Sequence, residues 1–197
     1  MTPQTYIFMG RSGCGKGTQA GLLEKLLENK KEKLPTVHLE TGKLFRDFIK
    51  GATHTQEVSK TILESGGLQP EFLTVYLWSA FMVMNMRKDC HLIVDGTPRR
   101  RDEAAVLHTA FEFYMRTNPH IIYLDVSRTW SEKHMLERKR QDDNKRDIEL
   151  RLNWFDTDVA PAIEYYRNNP FYSFHSVNGE RAIEEIHADI VKILGLG

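Results

Sequence analysis

The sequence predicts a three-layer α/β domain, with helices on both faces of a central five-stranded parallel sheet. Three observations point there. Short, nearly continuous apolar runs alternate along the chain with longer stretches of helical periodicity. The first run leads straight into a glycine-rich loop and then a helix. A later run ends in an aspartate followed by a glycine–proline turn, as where a strand delivers a polar group to a sheet edge.

The strands are expected at 6–9 (YIFM), 37–40 (VHLE), 92–95 (LIVD), 121–126 (IIYLDV) and 174–177 (FHSV). Most lack polar alternation, which suits strands covered on both faces. Helical patterns fall at 16–28, 43–50, 55–65, 70–88, 101–116, 129–139, 145–168 and 180–194. Strands separated by helices require right-handed crossovers, hence a parallel sheet. Two stretches break the rhythm. Residues 40–69 put two short helices between the second and third strands, punctuated by Gly42, Gly51, Gly66 and Gly67. Residues 138–147 (ERKRQDDNKRD runs through them) form a dense charge cluster between two helices. With no internal repeat and no low-complexity linker, both read as inserts in one domain.

Composition sets outer bounds. A chain of 197 residues and 22.9 kDa is one domain, and it buries enough surface to need neither disulfide nor metal for its core. Hydrophobic residues at 41% and charged residues at 27% suit a globular protein. Lys+Arg and Asp+Glu both number 27, so no overall field draws the chain to nucleic acid or an anionic membrane. No apolar run approaches the ~20 residues of a membrane span, and the start, MTPQT, lacks a signal-type n-region. Cys14 and Cys90 stand apart, outside any CxxC pattern, and read as free thiols of a reducing cytosol. The eight histidines show no metal spacing.

Two segments carry chemistry. Gly10-Arg-Ser-Gly13-Cys14-Gly15-Lys16-Gly17-Thr18 matches G-x-x-x-x-G-K between a strand and a helix, the phosphate loop of P-loop NTPases. Its glycines let successive backbone N–H groups face phosphate oxygens, the helix adds its positive end, and Lys16 reaches the β- and γ-phosphates. The usual Ser or Thr after the lysine is displaced by Gly17, with Thr18 next. In Leu92-Ile-Val-Asp95-Gly96-Thr97-Pro98-Arg99, Asp95 at a strand end can hold Mg²⁺ largely through water, and the turn aims Arg99 at the cleft.

With GKGT, Thr41-Gly-Lys-Leu-Phe-Arg46, DGTPR and RQDDN in this order, the chain resembles the nucleoside monophosphate kinases, above all adenylate kinases with a short lid. The resemblance runs the length of the chain, through Ala160-Pro161-Ala-Ile-Glu-Tyr-Tyr166 and Val177-Asn-Gly179. It implies a core of 1–39, 70–136 and 148–197, an acceptor-binding insert at 40–69 and a lid at 137–147. It also implies Mg²⁺-dependent transfer from ATP to AMP, giving two ADP, by a cytoplasmic monomer without structural zinc.

Residue by residue, the resemblance puts ATP on Gly13, Cys14, Gly15, Lys16, Gly17, Thr18, His134, Arg138 and Arg181. It puts the acceptor on Thr41, Arg46, Gly67, Leu68, Gln69, Gly96, Arg99, Glu103, Arg140 and Arg151. Lys16, Arg99, Arg138, Arg140 and Arg151 are implied as the catalytic cations, with Asp142 and Asp143 holding the closed lid. Such a set suits phosphoryl transfer, which needs positioning and cancelled charge rather than covalent help, and the arginine fork binds phosphate bidentately.

The chain departs from the pattern at Lys43 (usually acidic, here a cation near the acceptor), Thr97 (usually aromatic) and His134 (often arginine). The fourth departure is Glu103, where the family carries a Gln that reads adenine. A carboxylate only accepts, so Glu103 suits the donor edge of guanine or cytosine, unless Arg100 or Arg101 compensates or it points to the surface. GMP or CMP as acceptor therefore stands beside AMP, as does an inactive nucleotide sensor. Against the sensor stands the intact set of Lys16, Asp95, Arg46, Arg99, Arg140 and Arg151. Trp78, Trp130 and Trp154 read as core anchors. Cys14, near a helix N-terminus, is open to a lowered pKa or simply fills a small-residue position; either way its alkylation should block ATP.

Overall fold

The computed structural model describes residues 2–31, 33–138 and 145–197. Five strands, β1 (Thr5–Gly10), β2 (Thr36–Glu40), β3 (His91–Asp95), β4 (His120–Asp125) and β5 (Ser173–Asn178), form one sheet in the order β2-β3-β1-β4-β5. Every pairing is parallel, with Ile7 opposite Val94 on one side and Ile121 on the other. Among the described residues the helices are α1 (Lys16–Glu28), α2 (Thr41–Phe48), α3 (His54–Glu64), α4 (Glu71–Asn85), α5 (Arg101–Phe113), α6 (Arg128–Arg138), α7 (Lys145–Trp154), α8 (Ala160–Arg167) and α9 (Ile183–Ile193).

The alternation of side chains along each strand separates two cores. Ile7, Met9, Leu39, Leu92 and Val94 face α4, α5 and α8 through Trp78, Leu107, Phe111 and Tyr166. Tyr6, Phe8, Ile93, Ile122 and Leu124 face α1 and α9 through Leu23, Leu27, Ile186 and Ile190. A sheet covered on both faces explains why its strands read as unbroken apolar runs; all six residues of β1 are buried. A smaller cluster of Met135, Ile148 and Leu152 joins α6 to α7.

The helical stretch expected at 145–168 is interrupted. A π-helical turn, Phe155–Val159, separates α7 from α8. Pro161 sits in the first turn of α8. It has no N–H to donate and its ring crowds the carbonyl four residues back, so an unbroken α-helix through 157–161 is excluded. Apolar periodicity registers which residues face the core and is blind to this widening.

Gly10 ends β1 at φ +146°, and a Cβ there would meet the Leu124 carbonyl oxygen at 2.7 Å and the Cys14 Sγ at 2.8 Å. The backbone of the loop thus passes directly over the neighbouring strand. Gly10→Ala should destabilise the fold by ~1–3 kcal/mol, the range for overpacked sites, read as a lowered urea midpoint at unchanged slope. An unshifted midpoint would show that the strand end yields without cost.

Candidate active site

The strand order changes direction beside β1: the chain reaches β3 on one side of it before crossing to β4 on the other. Loops leaving β1 and β3 therefore diverge and open a cleft above their C-terminal ends, the place where ligands of open α/β sheets bind. The cleft encloses about 810 Å³, within the range of small-molecule sites.

One wall is the loop after β1. Gly13 and Gly15 take left-handed φ of +85° and +88°, which turn the backbone toward the cleft. Gly15 caps α1 with no side-chain hydrogen bond of its own, and a helix N-terminus offers its first N–H groups to an anion. A Cβ on Gly13 would meet the Ser131 carbonyl oxygen at 2.8 Å, and Ser131 Oγ donates to the Ser12 carbonyl. The loop is thereby seated on α6. Lys16 reaches back across it, Nζ donating to the Arg11 carbonyl at 3.1 Å.

Asp95 lies at the floor, 8% exposed, opposite Phe8 of β1 and Glu40 of β2. Its Oδ1 is buried without a hydrogen-bond partner among the described residues. Burial pushes its pKa up, against the opposing charge of Lys16. A Cβ on Gly17 would come within 3.1 Å of Asp95 Oδ2, so any side chain between Lys16 and Thr18 would press on this carboxylate.

Lys16, Arg46, Arg99, Arg138, Arg151 and Arg181 all line this cleft, as do Gly13, Cys14, Gly15, Gly17 and Thr18. His134, Gly67, Gly96 and Asp95 join them. Arg99 is held on three sides. Its Nε donates to the Gly96 carbonyl at 3.1 Å, its backbone N–H to Glu103 Oε2 at 2.8 Å, and its guanidinium carbon lies 5.1 Å from the centre of the Trp154 ring. Burial lowers its pKa, and Glu103 opposes that shift. Arg46 donates to Glu40 Oε1 at 2.6 Å.

Four expected residues do not line the cleft. Thr41 is buried at the start of α2. Gln69 is buried against Ser59, with Nε2 donating to the Ser59 carbonyl at 2.8 Å. Leu68 precedes it, half-buried. Glu103 is only 1% exposed, which overturns the surface reading, and sits in the first turn of α5 beneath Arg99. Burial raises its pKa, the Arg99 N–H working against that. Lys43 is exposed and lies off the cleft lining. Arg140, Asp142 and Asp143 lie outside the described residues.

One further expectation is corrected and one is extended. The Cys14 thiol is pushed up, not down, because its burial outweighs the nearby Lys16. The core-anchor reading holds for all three tryptophans, Trp78 at 2% exposure and Trp130 and Trp154 packed partly buried against the two cores, but Trp130 and Trp154 also line the cleft. His134 stacks on Trp130 with ring centres 4.2 Å apart, and its Nδ1 lies 2.9 Å from the Trp130 carbonyl oxygen. A stacked pair of this kind, lining the cleft, can present an outer ring face to a nucleotide base. Their spacing of four on α6 is the signal that marks them; apolar patterning alone does not separate a base platform from a core anchor.

Known proteins resemble this chain over almost all of its length. A family model described as adenylate kinase matches residues 8–170. The adenylate kinase of Flavobacterium psychrophilum is 31% identical over 193 residues, covering 95% of this chain and 96% of that protein. The adenylate kinase of Corynebacterium glutamicum is 30% identical over 189 residues, covering 96% and 98%. That of Rickettsia akari is 29% identical over 220 aligned positions, covering 95% and 97%.

The raised pKa of Asp95 has a consequence for stability. A carboxyl whose folded-state pKa lies above its ordinary value of 3.8 binds protons more tightly folded than unfolded, so its ionisation costs stability as pH rises. Asp95→Asn should therefore raise the thermal midpoint at neutral pH, with the gain fading as the pH falls toward 3.8. A lowered midpoint at pH 7 would show that the ionised carboxylate is a net stabiliser.

Proposed function

The chain belongs to the adenylate kinase family, phosphotransferases acting on nucleoside monophosphates, and we propose the following division of labour for its reversible transfer of a phosphoryl group from ATP to AMP. The observation that carries it is the convergence of six cations from separate elements on one cleft beside the phosphate loop. Lys16 and the loop backbone hold the donor's β- and γ-phosphates. Arg46 and Arg99 hold the acceptor's α-phosphate. Arg138 and Arg151, with Arg140, close over the transferring group, and Arg181 borders the donor nucleoside beside the His134–Trp130 platform. Two polyphosphate chains repel each other, and these fixed charges remove that repulsion before the reaction begins. The attacking phosphate oxygen is already anionic, so no general base is required.

Residues 40–69 serve as the acceptor-binding insert and 137–147 as the lid, with the remainder as core. Closure of both excludes water, which would otherwise take the phosphoryl group. A monomer is the catalytic unit proposed. No helix among the described residues is long and apolar enough to cross a membrane. Both cysteines are unpaired, which supports a reducing, cytoplasmic setting.

The residues fit Mg²⁺. Among the described residues Asp95 Oδ1 is a buried acceptor with no hydrogen-bond partner, and no group of three or more His, Cys, Asp or Glu forms a cage. That is the pattern for an ion held by one carboxylate, waters and nucleotide phosphates. When bound, Mg²⁺ neutralises charge on the donor phosphates. AMP as acceptor is supported by the position of Glu103: its Oε2 is committed to the Arg99 N–H and it is absent from the cleft lining, so it offers guanine or cytosine no acceptor there.

Chromatography of products after mixing the protein with ATP, Mg²⁺ and one of AMP, GMP, CMP or UMP tests this directly. ADP should form with AMP and disappear with a chelator; preference for GMP or CMP would overturn the acceptor assignment. Arg99→Ala should lower kcat by ~10²–10³-fold, as for other preorganised donors, with ATP affinity retained. Near-wild-type turnover would remove Arg99 from the site.

A further inference from the structure

Arg11 is the first residue beyond β1 in the phosphate loop, yet its side chain is absent from the cleft lining. It turns instead to the π-helical turn after α7. Its guanidinium carbon lies 4.1 Å from the centre of the Phe155 ring, and Nη2 donates to Asp156 Oδ1 at 2.7 Å. A planar guanidinium can offer its face to a ring and its edge to a carboxylate together, which an ammonium cannot. The second oxygen of Asp156 lies 3.5 Å from Arg128 Nη1, and Arg128 Nη2 donates to Asn153 Oδ1 at 2.7 Å.

These contacts meet at the base of the two helices that carry site cations. Arg128 begins α6, which ends at Arg138; Asn153 lies in α7, two residues after Arg151. The main chain of Arg11 works on the other side: its carbonyl accepts from Lys16 Nζ at 3.1 Å and from the Cys14 N–H at 3.2 Å. One residue therefore links the loop that holds Lys16 to the end of α7 and, through Asp156, to the start of α6.

We propose that Arg11 is a positioning residue, which sets the distance between the donor-holding loop and Arg138 and Arg151 through Phe155 and Asp156. Asp156 is half exposed, and ion pairs of that kind add little to stability; the consequence of this one is geometric. The π-helical turn belongs to the device, because it places ring 155 and carboxylate 156 on the same guanidinium. Arg11 acts through the backbone and helices it holds and touches no reacting atom.

This inference rests on the transfer reaction proposed above, so its test includes a readout that turnover does not enter. Steady-state kinetics would be compared for wild type, Arg11→Gln, Arg11→Lys, Asp156→Asn and the Arg11→Gln/Asp156→Asn double variant, with urea midpoints for each. Arg11→Gln should lose about 10–100-fold in kcat, as when a site is displaced by a fraction of an ångström to an ångström, with KM for ATP and AMP within about threefold. Arg11→Lys should recover part of that loss, and the double variant should be no slower than the worse single one, since both break one linkage. Without nucleotide, hydrogen exchange in Arg11→Gln should quicken at 153–159 and at the base of α6. A kcat within twofold of wild type, losses that multiply in the double variant, a kcat loss that merely tracks unfolded protein, or unchanged exchange would each overturn the proposal. Failure of wild-type turnover would sink the reaction and leave the exchange result to decide the latch.

Discussion

The parallel pairing of β1 with β3 on one side and β4 on the other holds three chemical groups in a common frame. The loop after β1 carries Lys16, the end of β3 carries Asp95 opposite Phe8, and Leu124 of β4 lies against Gly10. Because β1 is wholly buried, its end cannot shift without disturbing both cores. Close packing transmits such a shift instead of absorbing it. The cleft inherits this rigidity on its floor, while its upper wall is built from α2, α6 and α7.

On that floor the protein keeps groups in states that burial disfavours. Asp95 carries an oxygen with no hydrogen-bond partner among the described residues, and Arg99 is buried, with the charge of Arg151 adding to the lowering of its pKa. Neighbours offset the cost only in part: Lys16 faces Asp95, and Glu103 lies under the Arg99 N–H. Glu103 belongs to this arrangement as a support of Arg99, which accounts for a carboxylate on a helix that touches no cleft surface.

The upper wall is tied down by close backbone contacts. Gly13 rests on the carbonyl of Ser131, and a Cβ on Gly66 would lie 2.6 Å from the Asp147 Cβ. Trp154 joins the two sides, its Nε1 donating to the Gly66 carbonyl at 3.3 Å and its ring lying beside Arg99. The glycines at 66 and 67 read in the sequence as punctuation. In the structure Gly66 is where residues 40–69 come into contact with α7. That role depends on what lies across the gap, which no local pattern encodes.

The five strands, the three-layer class and the phosphate loop were legible in the sequence, because each follows from local rules: unbroken apolar runs, helical periodicity and a glycine spacing that binds phosphate. Motif order likewise pointed to Lys16, Asp95, Arg46, Arg99 and Arg151, since their chemistry is tied to their place at element ends. The tertiary structure decided matters that depend on what surrounds a residue. It buried Glu103 and Cys14, brought Trp130 and Trp154 to the cleft, broke 145–168 at a π-helical turn and sent Arg11 away from the phosphates toward Asp156. Burial, pKa shifts and long-range contacts such as Arg11–Asp156 arise from segments far apart in the chain, so they exist only once the sheet has brought those segments together.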